Sequence, residues 1–242
     1  MFAALLASLC MTISHAQPDY AAQRVRMVAE IEAMYAETRS ETGLASMSPE
    51  VRAAISKVER HRMVPPELAS QAYRNHPLPI GEGQTISQPY IVALSTDLIG
   101  PRAGQVVLEV GTGSGYQAAV LAEIVKQVYS IEIVPSLAHG AAAHLAELGY
   151  RNVEVRVGDG YAGWPEKAPF DAIIVTAAAP RVPQALVEQL KPGGKMVIPV
   201  GGTWSVQELL VITRRADGGF DRRSVLPVRF VPLVPGDGAT RQ

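Results

Sequence analysis

Residues 106–116, Val-Val-Leu-Glu-Val-Gly-Thr-Gly-Ser-Gly-Tyr, leave few folds open. Four aliphatic residues (Val106, Val107, Leu108, Val110) make a short buried strand, and glycines at alternate positions (Gly111, Gly113, Gly115) follow it at once. A helix-like stretch, Gln117 to Val125, comes next. An apolar strand that turns tightly into a helix belongs to a doubly wound α/β sheet, and that turn is where such sheets receive ligands. Glycine suits it because the turn uses backbone angles closed to other residues and because a ligand must approach the bare main chain. The free N–H groups at the helix start add a partial positive charge.

The rest of the chain alternates as that corner demands. Strands are expected at 127–133, 153–157, 171–175 and 195–200, with helices at 135–148 and 183–190 between them. Pro135 opens the first of these helices, Gly149 closes it, and Pro192-Gly193-Gly194 follows the second. The near-continuous apolar character of the early strands implies a mainly parallel sheet covered on both faces. Two more strands, near 207–213 and 225–231, flank the turn Asp217-Gly218-Gly219 and should be antiparallel. Upstream, Val25, Val28, Ile31, Met34 and Tyr35 recur at helical spacing over 19–39. Ser48-Pro49 caps and opens a helix that buries Val51, Ala54, Ile55 and Val58, and an apolar helix runs from Pro89 to Gly100.

Between them, Pro77, Pro79, Gly81 and Gly83 forbid a continuous helix, and Gln84, Thr85, Ser87 and Gln88 crowd together four hydrogen-bonding side chains. On chemistry alone, an ordered loop capping the next helix accounts for them as well as a binding site does.

A chain of 242 residues, 48% hydrophobic, can bury a full core, and one domain with an N-terminal extension is the natural reading. The expected division is a signal segment at 1–16, N-terminal helices and a loop at 17–100, the ligand-binding core at 101–235 and a tail at 236–242. Residues 1–16 form an apolar run ending in Ser14-His15-Ala16, as an export signal would, although the basic start of such a signal is missing. The protein is therefore expected to be periplasmic or exported, with a cytoplasmic location as the alternative. The run is too short to span a membrane. A net charge of −1 supplies no basic field to hold nucleic acid. The single cysteine, Cys10, excludes an intrachain disulfide and a cysteine-based zinc site, and the five histidines show no H-E-x-x-H pattern, so no metal is expected.

A dinucleotide fingerprint reads G-x-G-x-x-G; here the order is E-x-G-x-G-x-G, with Glu109 two residues before Gly111. That order resembles motif I of S-adenosylmethionine-dependent methyltransferases. An acid beside the loop suits a cationic sulfonium ligand better than a diphosphate. Glu132, near the end of the second strand, stands where an acid accepts hydrogen bonds from both ribose hydroxyls, and Asp159, between two glycines, can meet an adenine amino group or serve as an ordinary turn residue. Thr176 to Pro180, after the fourth strand, faces the sulfonium and the acceptor.

Segments 77–90, 107–117, 158–160, 170–179 and 190–201 together resemble the protein-L-isoaspartate O-methyltransferases, and G-Q-T-I-S-Q-P at 83–89 is the most specific of their motifs. The resemblance implies a Rossmann-like methyltransferase fold: a mainly parallel seven-stranded sheet, antiparallel C-terminal strands and an N-terminal helical extension. It implies methyl transfer from S-adenosyl-L-methionine to the free α-carboxylate of L-isoaspartyl residues in damaged proteins, the ester then collapsing to a succinimide. By the family pattern Ser87 is the active-site hydroxyl, with Gln84, Thr85, Thr176 and Ala177 around the acceptor. Glu109, Gly111, Thr112, Gly113, Ser114, Gly115, Glu132, Asp159 and Gly160 go to the cofactor, and Gln207 is a looser match for another contact. A monomer is expected, and the family is usually cytosolic, so the signal-like start is a departure. A carboxylate acceptor is already ionised and needs no general base, which agrees with the lack of an acid–base pair in the motifs. The alternatives are a methyltransferase for another acceptor and a non-catalytic cofactor-binding module.

Overall fold

A computed structural model describes residues 19–202 and 205–236; the signal-like segment and nearly all of the expected tail lie outside them. The chain begins with α1 (Tyr20–Glu37), α2 (Arg39–Thr42) and α3 (Pro49–Lys57). Ser48 caps α3 as its sequence predicts, its hydroxyl accepting from the Val51 N–H. Helix α1 is turned slightly from its expected face: Met27, Val28, Ile31 and Tyr35 are buried, while Val25 is 70% exposed. Tyr35 donates to Asp97 at 2.6 Å, and the Ser48 N–H reaches the same carboxylate, so one half-buried acid ties α1 and α3 to the body.

The stretch at 77–88 is more ordered than its prolines and glycines suggest. It forms an antiparallel hairpin, β1 (Leu78–Gly81) and β2 (Gln84–Ile86), before α4 (Pro89–Ile99). Gly81, Glu82 and Gly83 all have positive φ at its tip, which explains the glycines. The Glu82 carboxylate accepts from the Ser136 hydroxyl at 2.9 Å and anchors the tip to the body.

The core then alternates: β3 (Val106–Val110), α5 (Tyr116–Ala122), β4 (Gln127–Glu132), α6 (Pro135–Glu147), β5 (Val153–Val157), β6 (Phe170–Val175), α7 (Gln184–Glu188), β7 (Leu190–Val200), β8 (Gln207–Arg214) and β9 (Phe220–Val228). They build a seven-stranded sheet in the order β5-β4-β3-β6-β7-β8-β9, parallel through β7 and antiparallel at the last two pairings. Side chains alternate across it. Val107, Ala172, Ile174 and Val197 pack toward α1, α3, α4 and α5, while Leu108, Val110, Ile173, Val175 and Met196 pack toward α7 and Trp164. Strand order reverses between β3 and β6, which places the switch point at the glycine loop.

The largest boundary differences from the sequence reading fall at α7–β7 and at β9. Helix α7 ends at Glu188, and Pro192-Gly193-Gly194 lies inside β7, where a register shift against β6 absorbs it. Gly193 takes φ +79° there, and a Cβ on Gly194 would sit 2.8 Å from the Lys191 carbonyl, so these glycines serve a bulge and not a helix end. Strand β9 starts five residues earlier than the expected 225, because Asp221, Arg222 and Arg223 look like turn residues but pair with Thr213, Ile212 and Val211.

Candidate active site

The loop 111–115 is bonded from beneath. The N–H groups of Gly111 and Thr112 both donate to the Ile131 carbonyl, at 2.8 and 3.2 Å. The Gly113 N–H donates to Glu132 at 2.8 Å, and the other oxygen of that carboxylate takes the Val134 N–H at 3.1 Å. All three glycines have positive φ, and a Cβ on Gly111 would lie 2.3 Å from the Thr176 hydroxyl oxygen. Backbone conformation and close approach both require glycine at 111.

Glu109 departs from the sequence argument. It is fully buried, forms no wall of the ligand clefts, and accepts a short hydrogen bond from the Ser130 hydroxyl, which also pairs with Thr112. Burial pushes its carboxyl up to about 8. At neutral pH it is a protonated strut beneath the loop, not an anion facing a cation.

Two clefts open at the carboxyl ends of the strands. The inner one, about 320 Å³, has Gly111, Gly113, Glu132, Gly160 and Ala177 in its walls. The outer one, about 940 Å³, is bordered by Ser87, Gln88, Ile91, Val206, Val228 and Arg229. They share Thr85, Thr176, Val231 and Pro232. The Thr176 hydroxyl is spent on the Gly111 carbonyl at 2.6 Å, so it fixes the junction rather than offering a free donor.

The residues expected to work together are therefore sorted. Ser87 lies in the outer cleft alone, whereas Gln84 and Ala177, expected beside the acceptor, line the inner cleft. Thr112 and Gly115 lie behind the loop: Thr112 bonds Ser130, and Gly115 faces Leu145. Ser114 opens onto a separate hollow beside Ser136 and His144. The Asp159 carboxylate does not line the inner cleft; it accepts from the N–H groups of Tyr161 and Gly236, at 2.8 and 3.0 Å.

That last bond exposes a component the sequence reading missed. Residues 231–234 cross the inner cleft as a strap, held where the Ala178 N–H donates to the Val231 carbonyl and the Leu233 N–H to the Ala178 carbonyl, each at 2.8 Å. Gln207, 2% exposed, steers the chain into the strap by accepting the Phe230 N–H at 2.8 Å. It is not among the residues that line either cleft. Arg60 was also unforeseen. It is completely buried, donates to the Ala72 carbonyl, and lies 4.7 Å over the ring of Tyr116, the first residue of α5. Desolvation lowers its guanidinium to about 10. No sequence signal separates it from the surface arginines nearby.

Residues 31–238 match the family model described as protein-L-isoaspartate(D-aspartate) O-methyltransferase. The chain belongs to that family. It is 53% identical to protein-L-isoaspartate O-methyltransferase 2 of Syntrophobacter fumaroxidans, over 93% of this chain and 91% of that one. It is 52% identical to protein-L-isoaspartate O-methyltransferase 1 of Cupriavidus necator, over 97% and 90%. A solved structure of a protein-L-isoaspartate O-methyltransferase superposes with a TM-score of 0.76 at 28% identity, covering 88% of this chain and 66% of the other. A Plasmodium falciparum protein solved in complex with S-adenosyl-L-homocysteine shares the fold, with a TM-score of 0.70 at 23% identity, covering 90% and 99%.

Proposed function

We propose that the inner cleft holds S-adenosyl-L-methionine, that the outer cleft holds an L-isoaspartyl segment of a damaged protein, and that the methyl group passes between them to the free α-carboxylate. The observation that carries this reading is the shared wall: the clefts meet at Thr85, Thr176, Val231 and Pro232, none of them ionisable.

The inner cleft fits the cofactor. Glycines leave the main chain bare, and Glu132, 6% exposed, is a buried acid already set by two backbone bonds; in this reading it accepts from the ribose hydroxyls. The cofactor supplies an electrophilic methyl on a sulfonium. The protein's task is to bring a carboxylate oxygen into line with that methyl in a water-poor junction, a matter of proximity and orientation. No side chain has to remove a proton, because the acceptor arrives ionised. Ser87, in the outer cleft, donates its hydroxyl to the acceptor carboxylate. Thr85 and Thr176 narrow the passage, and Gln84 closes the inner cleft from the hairpin side. Transfer would break the methyl–sulfur bond and form a C–O bond on the acceptor, giving S-adenosylhomocysteine and a methyl ester; attack of the adjoining amide nitrogen on that ester would then close the succinimide and release methanol.

The test is methyl transfer from labelled S-adenosylmethionine to an isoaspartyl peptide beside its aspartyl twin. Labelling of the isoaspartyl peptide alone, reduced at least about tenfold by Ser87→Ala through loss of a hydrogen bond to a charged group, is the expected result. Labelling of neither peptide, with the cofactor tightly bound, refutes the assignment.

Three finer readings belong with this proposal. The protein works as a monomer without nucleic acid, which sedimentation and a filter-binding assay would check. Residues 1–16 act as a cleaved signal, so the mature N-terminus read from fractionated cells is Gln17; an intact Met1 in the cytoplasm would overturn that. Residues 17–100 form the substrate-side extension of the 101–235 core. No described helix is long and apolar enough to cross a membrane.

A further inference from the structure

The outer cleft has one charged group among its described lining residues, Arg229. Its neighbours there are apolar, Pro227, Val228 and Phe230, and no carboxylate among the described residues forms an ion pair with it. Arg229 is exposed, one residue past the end of β9, and the next residue's N–H is bonded to the buried Gln207 amide. The backbone that carries the guanidinium is thereby fixed, while the cation itself remains available.

Where this cation stands is as informative as its sign. Arg229 lines only the outer cleft, and the junction with the inner cleft is uncharged. Methyl transfer from a sulfonium to a carboxylate annihilates two opposite charges. A cation held on the reacting oxygen would stabilise the reactants more than the transition state and slow the step. A cation set back from the junction escapes that penalty: its field draws an anionic acceptor in, and a low-polarity wall strengthens the attraction.

We propose that Arg229 is the capture residue for anionic peptide acceptors, pairing with a peptide carboxylate beside the junction rather than at the reacting atoms. The inference rests on the outer cleft being the acceptor site. The carboxylate has two possible sources, the isoaspartyl α-carboxylate on its way in or an acidic side chain next to it in the peptide.

The test is binding of fluorescent isoaspartyl peptides by anisotropy, which needs no turnover and so separates failed capture from failed methyl transfer. Three peptides carry Glu, Gln or Lys beside the isoaspartyl residue. Arg229→Ala should raise Kd about fivefold to tenfold at low ionic strength and less than about twofold at high salt, because exposed charges are screened beyond a Debye length. Arg229→Lys should restore most of the affinity and the salt dependence. Under Arg229→Glu, preference for the Lys peptide over the Glu peptide assigns capture to the flanking acid, whereas equal weakening of all three assigns it to the isoaspartyl carboxylate. Either result supports the proposal. Unchanged affinity and an unchanged salt slope in Arg229→Ala and Arg229→Glu overturn it, as does an affinity loss in Arg229→Ala that is the same at all salt concentrations.

Discussion

Replacing Gly111 with alanine tests whether the loop is held by close packing or by backbone angle alone. The residue has φ +99°, which costs an L side chain roughly 1–2 kcal/mol. The new Cβ would also lie 2.3 Å from the Thr176 hydroxyl oxygen, so that hydroxyl must swing away from its bonds to the Gly111 and Val110 carbonyls, at 2.6 and 3.1 Å. Losing them adds about 1 kcal/mol, for a total of about 2–3 kcal/mol. The loop would shift with it, because the Gly111 N–H is bonded to Ile131 at 2.8 Å. Urea unfolding gives the stability change and titration calorimetry the affinity for S-adenosylmethionine. The decisive measurement is the double variant. With Thr176→Ala the clashing oxygen is gone, and the next approach, to the Thr176 Cβ at 3.6 Å, is ordinary contact. Gly111→Ala should then cost only the backbone strain, so the two changes should couple favourably by about 1 kcal/mol or more. Strict additivity, or a Gly111→Ala protein within about 0.5 kcal/mol of wild type, refutes the argument from close approach.

Glu132→Gln leaves one oxygen for two backbone donors and sets an amide against an N–H; calorimetry should show affinity for S-adenosylmethionine falling at least about tenfold, and unchanged affinity would remove Glu132 from the site. Glu109 has its folded-state carboxyl raised to about 8, so between roughly pH 4.5 and 8 the folded chain holds a proton that the unfolded chain has lost. Its contribution to stability is thus complete below that window and is lost as pH rises through it; unfolding followed against pH should show a flatter profile in Glu109→Gln, and identical profiles would mean that the acid ionises freely in the fold. Asp159→Ala removes the acceptor for the Gly236 N–H, so amide exchange at Gly236 should accelerate and the cofactor should dissociate faster; unaltered exchange would show that the strap holds without it.

The parts of this protein that the sequence made legible are those governed by local rules. Strand β3, its glycine turn and α5 follow from a run of five residues and from backbone angles, and the caps of α3 and α4 follow from Ser48, Pro49, Pro89 and Gly100. What stayed hidden depends on who meets whom across the fold. The hairpin at 78–86 reads as a loop because its strands have four and three residues, too short for an alternation to show. Glu109 reads as a ligand because its position in the motif is right; only burial reveals that it is neutral and supports the loop through Ser130, a residue on the neighbouring strand. Asp159 and Gln207 are the same case at longer range. The side chain of each binds the backbone of the C-terminal segment, at Gly236 and Phe230, a partnership that neither sequence position announces. That segment roofs the inner cleft and edges the outer one, so the site is closed by residues that follow the last strand of the sheet, although the cleft-lining residues expected from the motifs all precede residue 180. A motif reports which side chains and glycines surround a ligand; it carries no information on the strap that closes over them, because backbone groups of Val231 and Leu233 hold that strap and almost any residue supplies those. Function here is legible from the residues that need a particular side chain or none, and illegible from those that contribute only main chain.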